Sequence, residues 1–464
     1  MRALLISTYD MGRQPFGLAS AAAAVKAGGL DVTCADLSRE RLRQQAVLDA
    51  GLIGFFLPMH TASRLAIPVI KRIRDLNPTA VLCAFGLYAP LNEALLHDLG
   101  VAHVLGAEFE DDLRGLCTPA LAGVPIDART PPAASTVPAF QARGLPLKPI
   151  VPRVDFRVPD RTALPALSRY VKLRVGNELR IAGSTEASRG CKHRCRHCPI
   201  VPVYDGRFRV VPLDIVMADI RAQVADGARH ITFGDPDFFN GIRHADAVVR
   251  TFAAAFPDVS YDVTLKIEHL LAHAGMLPVL RDTGCAFVTS AVESIDDEIL
   301  RRLEKGHTHE DFVEAVRSCD EARLVLSPTF VAFSPWTTME GYCALLQEID
   351  RLGLVEHVAP IQLAIRLLVT EGSRLLELPE VRDLVRPFDS VTMTYPWRHP
   401  DPRADRLQEA VATLVGVRAT APRNDTFARI WSLAHEAAGL TPPGRETPLQ
   451  ARADIPYLDE PWYC

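Results

Sequence analysis

From residue 1 to 117 short apolar runs alternate with helical patterns. The runs are ALLIS (3–7), DVTCAD (31–36), LIGFFL (52–57), AVLCAF (80–85) and AHVLG (102–106). Consecutive apolar positions, rather than strict alternation, belong to parallel strands covered on both faces. Between the first two lies 17-GLASAAAAVKAGG-29, an alanine-rich helix closed by glycines. Five strands with intervening helices predict a doubly wound α/β sheet. A ligand of such a sheet lies beyond the strands' carboxyl ends, here near Asp10, His60, Gly86 and Glu108.

The pattern dissolves over 118–180, where ten of the chain's 35 prolines fall between Pro119 and Pro165. That composition predicts an extended segment crossing to the next domain. Regular alternation then resumes. Strands are expected near 180–187, at HITFGD (230–235), YDVTLK (261–266), CAFVTSAVES (285–294), LVLSPTFVAF (324–333) and HVAPIQLAIRLL (357–368). Six strand–helix units joined by right-handed crossovers curl into a partial barrel over 181–384. Residues 385–464 read as helical, at 402–417 and 423–438, with a proline-broken tail ending in YLDEPWYC.

The chain has 464 residues, 48% hydrophobic and 23% charged, with formal net charge −5 and pI near 6.3. Nothing in that balance calls for nucleic acid or an anionic membrane as partner. No apolar run reaches bilayer length, and MRALLIS reads as a strand rather than a signal sequence. Of ten cysteines, Cys34, Cys83 and Cys285 sit in apolar strand-like runs, as buried free thiols do. The expectation is a cytoplasmic protein with reduced thiols.

Chemistry concentrates in 188-SRGCKHRCRHCPI-200. Cys191, Cys195 and Cys198 form C-x3-C-x2-C among basic residues, directly after the barrel's first expected strand. Barrel active sites are built on such strand-to-helix loops. A cubane held by three thiolates leaves one iron open to a small molecule. The other reading is a zinc site completed by His193 or His197, against which stands the lack of a second ligand pair.

The three-cysteine loop ahead of a six-unit barrel resembles the radical S-adenosylmethionine (SAM) superfamily. The resemblance implies a 4Fe–4S cluster on Cys191, Cys195 and Cys198. It further implies SAM chelated to the open iron, reductive cleavage to a 5′-deoxyadenosyl radical, and an electron donor such as flavodoxin or ferredoxin. FGDPDFF (233–239) stands where the family positions SAM's amino group, which nominates Asp235 and Asp237 in place of the commoner Gly-Gly-Glu. SAVESIDDEILRRLEKGHT (290–308) is similar to the fourth-strand motif and carries ribose contacts to Glu293 and Ser294. Lys266 is the candidate carboxylate partner.

A doubly wound domain ahead of such a barrel resembles the cobalamin-binding subclass, with Asp10, His60, Gly86 and Glu108 on the loops that would cradle the corrin. The D-x-H-x-x-G signature of histidine-on cobalamin enzymes is absent. His60 is either a lower axial ligand or a loop histidine bonded to backbone, and the domain either binds cobalamin or only packs. The ending on Cys464 is similar to radical SAM proteins tailed by Cys-Sec-Ala-Glu-Pro or Cys-Cys-Ala-Glu-Pro, which marks Cys464 as a working thiol; an ordinary terminus is the other reading. The reaction this implies is methylation of an unactivated carbon in a small molecule or peptide. The alternatives are rearrangement, cyclisation or cleavage by the same machinery, and a non-catalytic metal or cobalamin carrier.

Overall fold

The computed structural model describes residues 2–121, 153–419, 421–445 and 455–459, with the backbone alone for 118–121. Residues 122–152 of the expected crossing segment and Cys464 lie outside the described residues.

The first sheet orders β1 (Arg2–Ser7), β2 (Asp31–Asp36), β3 (Ala50–Phe56), β4 (Val81–Phe85) and β5 (His103–Val104) as β2-β1-β3-β4-β5. All its pairings are parallel. One face buries Leu4, Ile6, Ile53 and Leu82, and the other buries Leu5, Leu52, Cys83 and Phe85. This double burial is the reason the strands read as unbroken apolar runs. The expected doubly wound α/β arrangement is present.

The second sheet is a curled half-barrel. Its strands are β6 (Lys172–Val175), β7 (Glu178–Thr185), β10 (His230–Phe233), β11 (Ser260–Thr264), β12 (Cys285–Glu293), β13 (Leu326–Phe330) and β14 (Tyr457–Leu458). A two-stranded ribbon, β8 (Ser188–Gly190) with β9 (Phe208–Val210), stands apart and carries the cysteine loop. The order is β13-β12-β11-β10-β7-β6-β14, parallel from β7 to β13, with β6 and β14 antiparallel at one edge. The sixth expected strand, 357–368, is instead a 3-10 turn, Pro360–Ala364, with a single bridge between Phe333 and Arg366. Pro360 has no N–H to give a ladder, and the Gln362 side chain accepts from the Phe330 N–H at 3.2 Å. A side chain thus takes the bond a neighbouring strand would have made.

The helices Pro402–Val417 and Arg423–Ala438 fall at the expected residues, and Leu407, Val411, Ile430 and Trp431 join the barrel's core. The tail, unreadable in sequence, returns as β14 on the free edge of β6, where Asp459 and Lys172 exchange backbone and side-chain bonds.

Gly86 follows β4 with φ +107°, and a Cβ there would lie 3.0 Å from the Leu57 carbonyl oxygen. That backbone cannot step aside, since the Tyr88 N–H donates to the same oxygen. Gly86→Ala should therefore destabilise the chain by about 1–3 kcal/mol in urea unfolding. An unchanged midpoint would show that the loop relaxes freely.

Candidate active site at the barrel mouth

Cys191, Cys195 and Cys198 follow the ribbon strand β8. Gly190 before them has φ +75°, and a Cβ there would sit 2.5 Å from the Arg207 carbonyl and the Tyr204 ring. Only glycine turns the chain so tightly. The loop is held by contacts other than its cysteines. The Lys192 N–H donates to Asn240 Oδ1 at 3.1 Å, the Arg196 N–H to the Leu303 carbonyl at 2.9 Å, and Arg196 pairs with Glu304 at 2.7 Å. Cys195 is buried and the other two are half-buried; all are free thiols. Burial pushes Cys191 up to about 11 and Cys198 up to about 12, so the thiolates need a metal or a cation to form. The buried Lys305 supplies positive charge felt by Cys198 and interacts with Cys195. Three thiols on one loop beside a buried ammonium fit an anionic iron–sulfur cluster with three protein ligands.

The two histidines that the zinc reading would use each contact a carboxylate, although His197 Nδ1 is buried without a partner among the described residues. His197 Nε2 lies 3.1 Å from Glu293 Oε1, and Lys305 Nζ lies 3.2 Å from the same oxygen. Burial opposes ionisation of Glu293, but Lys305 and His197 outweigh it and hold the carboxyl far below its usual range. Glu293 also has φ +70°, at a shift in register between β12 and β13. Such strain in a side chain with a Cβ is a recurring mark of functional positions.

His193 faces the other way. Its Nε2 lies 3.4 Å from both Asp237 Oδ2 and His269 Nδ1, and its Nδ1 lies 3.1 Å from Lys266 Nζ. His269 Nδ1 approaches Asp237 Oδ2 to 2.5 Å. Burial alone would raise Asp237, yet the two histidines bring it down to about 2. His193, Asp237 and His269 place their ligating atoms within 4.8 Å of one another, close enough to hold a cation. Lys266 Nζ also pairs with Glu268 Oε2 at 3.0 Å, so the Asp237 carboxylate and the Lys266 ammonium stand on opposite nitrogens of the His193 ring and could meet the two ends of a zwitterion.

A cavity of about 370 Å³ lies between the carboxyl edge of the first sheet and the barrel mouth. Asp10, Phe16, Met59, Gly86, Glu186 and Asp235 are among its walls. Asp235 accepts from the Ser188 hydroxyl at 2.6 Å and the Ala187 N–H at 2.9 Å, so it anchors the cysteine ribbon as well as facing the cavity. Burial raises Asp10 and Glu186 to about 7 and Asp235 to about 6.

Two expected residues are used differently. Glu108, expected on a corrin-cradling loop, is buried between the Tyr204 hydroxyl at 2.9 Å and Arg189 at 3.5 Å, and is not among the cavity's walls. Its carboxylate would otherwise be uncompensated beside a loop rich in acids. His60 gives its Nε2 to the Thr392 carbonyl at 2.7 Å, the backbone-bonded alternative, with its ring against Tyr88. Ser294 accepts from the Asp296 N–H at 3.1 Å, shaping a turn. Lys305, His269 and Arg189 were not singled out in the sequence. Lys305 lies within the 290–308 stretch, but nothing in its neighbours marks its side chain as turned inward.

Residues 185–332 match the family model described as the radical SAM superfamily, so the chain carries a radical SAM domain. That superfamily implies a 4Fe–4S cluster and SAM. Among curated relatives, a tRNA-2-methylthio-N(6)-dimethylallyladenosine synthase of Chlorobium luteolum is 29% identical over 197 residues, 40% of this chain and 41% of the relative. The ribosomal protein uS12 methylthiotransferase RimO of Geobacter sulfurreducens is 23% identical over 239 residues, 44% of this chain and 51% of the relative. The matches thus span only about half of those proteins or less. Two solved structures are similar over nearly the whole chain. The cobalamin-dependent SAM radical enzyme OxsB, with aqua-cobalamin and SAM bound, has TM-score 0.70 at 13% identity, covering 94% of this chain and 71% of that one. The radical SAM methyltransferase TsrM from Kitasatospora setae, with cobalamin and a [4Fe-4S] cluster bound, has TM-score 0.65 at 17% identity, covering 95% and 100%. At such identities the likeness is one of fold.

Asp10, Glu186 and Asp235 keep their protons to higher pH in the folded chain than an unfolded chain would near pH 4. The folded state therefore binds more protons between about pH 4 and 7. Their contribution to stability is full below that window and lost as pH rises through about 7. Asp10→Asn cannot ionise, so it should flatten part of the fall in melting temperature between about pH 5 and 8. An identical slope in the variant would mean that Asp10 is not held protonated.

Proposed function

We propose that the protein is a cobalamin-dependent radical SAM enzyme that methylates an unactivated carbon. The observation that supports this reading is the cavity between the doubly wound domain and the barrel mouth, whose walls Gly190 and Pro236 directly precede Cys191 and Asp237 in the chain. When bound, the cluster and SAM supply a 5′-deoxyadenosyl radical, and cobalamin supplies a methyl group. The chain's own residues hold, orient and shield. Cys191, Cys195 and Cys198 hold the cluster, with Lys305 and its partner Glu293 next to the loop. Asp237 takes an amino group and Lys266 a carboxylate, the two ends of SAM's amino-acid head. Glu293 and Ser294 remain the candidates for the ribose.

The cavity under the first sheet suits the corrin chemically. Its walls combine aromatic and aliphatic faces with two half-buried carboxyls, Asp10 and Glu186, raised to about 7, which can donate to or accept from an amide-rich periphery. Backbone at Gly86 lies open to it. Since His60 is turned to Thr392, the lower face would be met without a histidine ligand.

A second reading is methylthio transfer, favoured by the names of the curated relatives; their similarity covers 40–44% of this chain. The electron donor would be a flavodoxin- or ferredoxin-type protein, and the substrate a small molecule or peptide. Cys464 would serve as a working thiol in this chemistry.

Anaerobic reconstitution with iron and sulfide, then SAM and a reductant, tests the core of this. Wild type should yield methionine and 5′-deoxyadenosine. Alanine at Cys191, Cys195 or Cys198 should abolish both the broad visible absorption and the cleavage. Asp237→Asn should keep the cluster and raise the KM for SAM about tenfold or more, the worth of one charged hydrogen bond. Cobalamin should remain bound through gel filtration. Its complete loss from wild type would remove the cobalamin half of the reading.

A further inference from the structure

We propose that the lower interior of the half-barrel is a binding site for a small molecule carrying a carboxylate or phosphate group. This rests on the reading above, for which it names the substrate class. A packed barrel fills its interior with branched aliphatic side chains. Here the inward positions are His230 and Thr232 on β10, Asp262 and Thr264 on β11, Phe287 and Thr289 on β12, and Ser327 and Thr329 on β13, polar but for Phe287. The aliphatic and aromatic residues of the same strands, such as Ile231, Val263, Val288 and Phe330, point outward into the helical layer. The alternation is that of strands wet on the inside.

What this leaves is a cavity of about 400 Å³, bounded below by the helices Pro402–Val417 and Arg423–Ala438 and on one side by β14. Arg13, from the loop after β1, borders both this cavity and the one at the barrel mouth. The size is that of a metabolite, not of a nucleic acid or a folded protein.

The walls carry three arginines, Arg13, Arg418 and Arg423, against two acids, Asp262 and Asp459. Asp262 is satisfied by His230 Nε2 at 2.8 Å and the Thr232 hydroxyl at 2.6 Å. Asp459 accepts from the Lys172 N–H, His357 is bonded to the Leu326 carbonyl, and Arg423 donates to the Glu356 carbonyl at 2.6 Å. Arg418, at the end of helix Pro402–Val417, also lines the cavity, and its Nε is buried with no hydrogen-bond partner among the described residues. The Nε of Arg13 is in the same condition, although its charge is partly balanced by Asp10. Both side chains are half-buried, and a buried N–H left without an acceptor is costly. A carboxylate or phosphate offers the paired oxygens that match them.

The test uses the full chain with its cluster reconstituted, and ligand-detected NMR with acetate, inorganic phosphate and, as neutral probe, glycerol. At least one of the two anions should bind, and which one does decides between carboxylate and phosphate. Arg418→Ala should weaken that anion roughly tenfold or more, with partial rescue in Arg418→Lys. Arg429→Ala, an exposed arginine on the neighbouring helix, should change nothing. Thr329→Val gives a second, charge-neutral probe of the same wall should Arg418→Ala fold poorly. Failure of both anions to bind, glycerol binding as well as they do, or equal binding by Arg418→Ala would overturn the inference. SAM cleavage is measured on the same samples. Cleavage without anion binding sinks only this site, whereas anion binding without cleavage sinks the radical SAM reading and leaves the site standing.

Discussion

The structure turns on one buried guanidinium. Arg189, on the strand leading into the cysteine loop, lies 2.7 Å from Glu110, 2.7 Å from Glu186 and 3.5 Å from Glu108. Glu108 and Glu110 belong to the first domain and Glu186 to the barrel, so a single cation bridges the two. Phe16, Phe109 and Phe156 surround it at 5.3–5.9 Å. Three carboxyl groups cannot ionise so close together without it, and its own charge cannot be buried without them. The cluster therefore specifies one arrangement of the domains rather than merely favouring contact.

That constraint fixes what the site can do. Gly190 and Cys191 follow Arg189 directly, so the cysteine loop inherits its position from the inter-domain cluster. The same region sets the roof of the cavity, since Glu186 and Arg189 are among its walls. A second arginine, Arg161 of the crossing segment, repeats the device on the far side of Phe16. It is bidentate to Asp219 and donates to the Ser184 carbonyl and Gln14. Two domains tied at buried charges leave a gap of set width between them, which is what a flat cofactor facing a second reactant requires.

The barrel's strands were legible because outward apolar positions and short spacing leave few alternatives. The doubly wound sheet was legible for the same reason. The segment 357–368 misled because its apolar content suits a strand, while Pro360 and the bond from Phe330 to Gln362 depend on tertiary placement. The cysteines announced themselves by spacing. Their supporting charges did not, because Lys305 and His269 sit in stretches where a surface lysine or a core histidine has the same neighbours in sequence. Glu108 and Arg189 lie eighty residues apart, and nothing local shows that they meet.

The polar interior of the barrel was written in the alternation all along: the inward letters of HITF, YDVT and LSPTF are His and Thr, Asp and Thr, Ser and Thr. Read only for burial, those strands look like a core facing both ways. Read for which face is apolar, they describe a container. The tail adds the physical reason the container stays closed, because β14 caps the free edge of β6 and sets Tyr457 and Asp459 into the cavity wall. An open edge there would expose both unpaired backbone and a polar hollow to solvent. Residues 455–459 thus complete a space that shares one wall residue, Arg13 of the loop after β1, with the cavity at the barrel mouth.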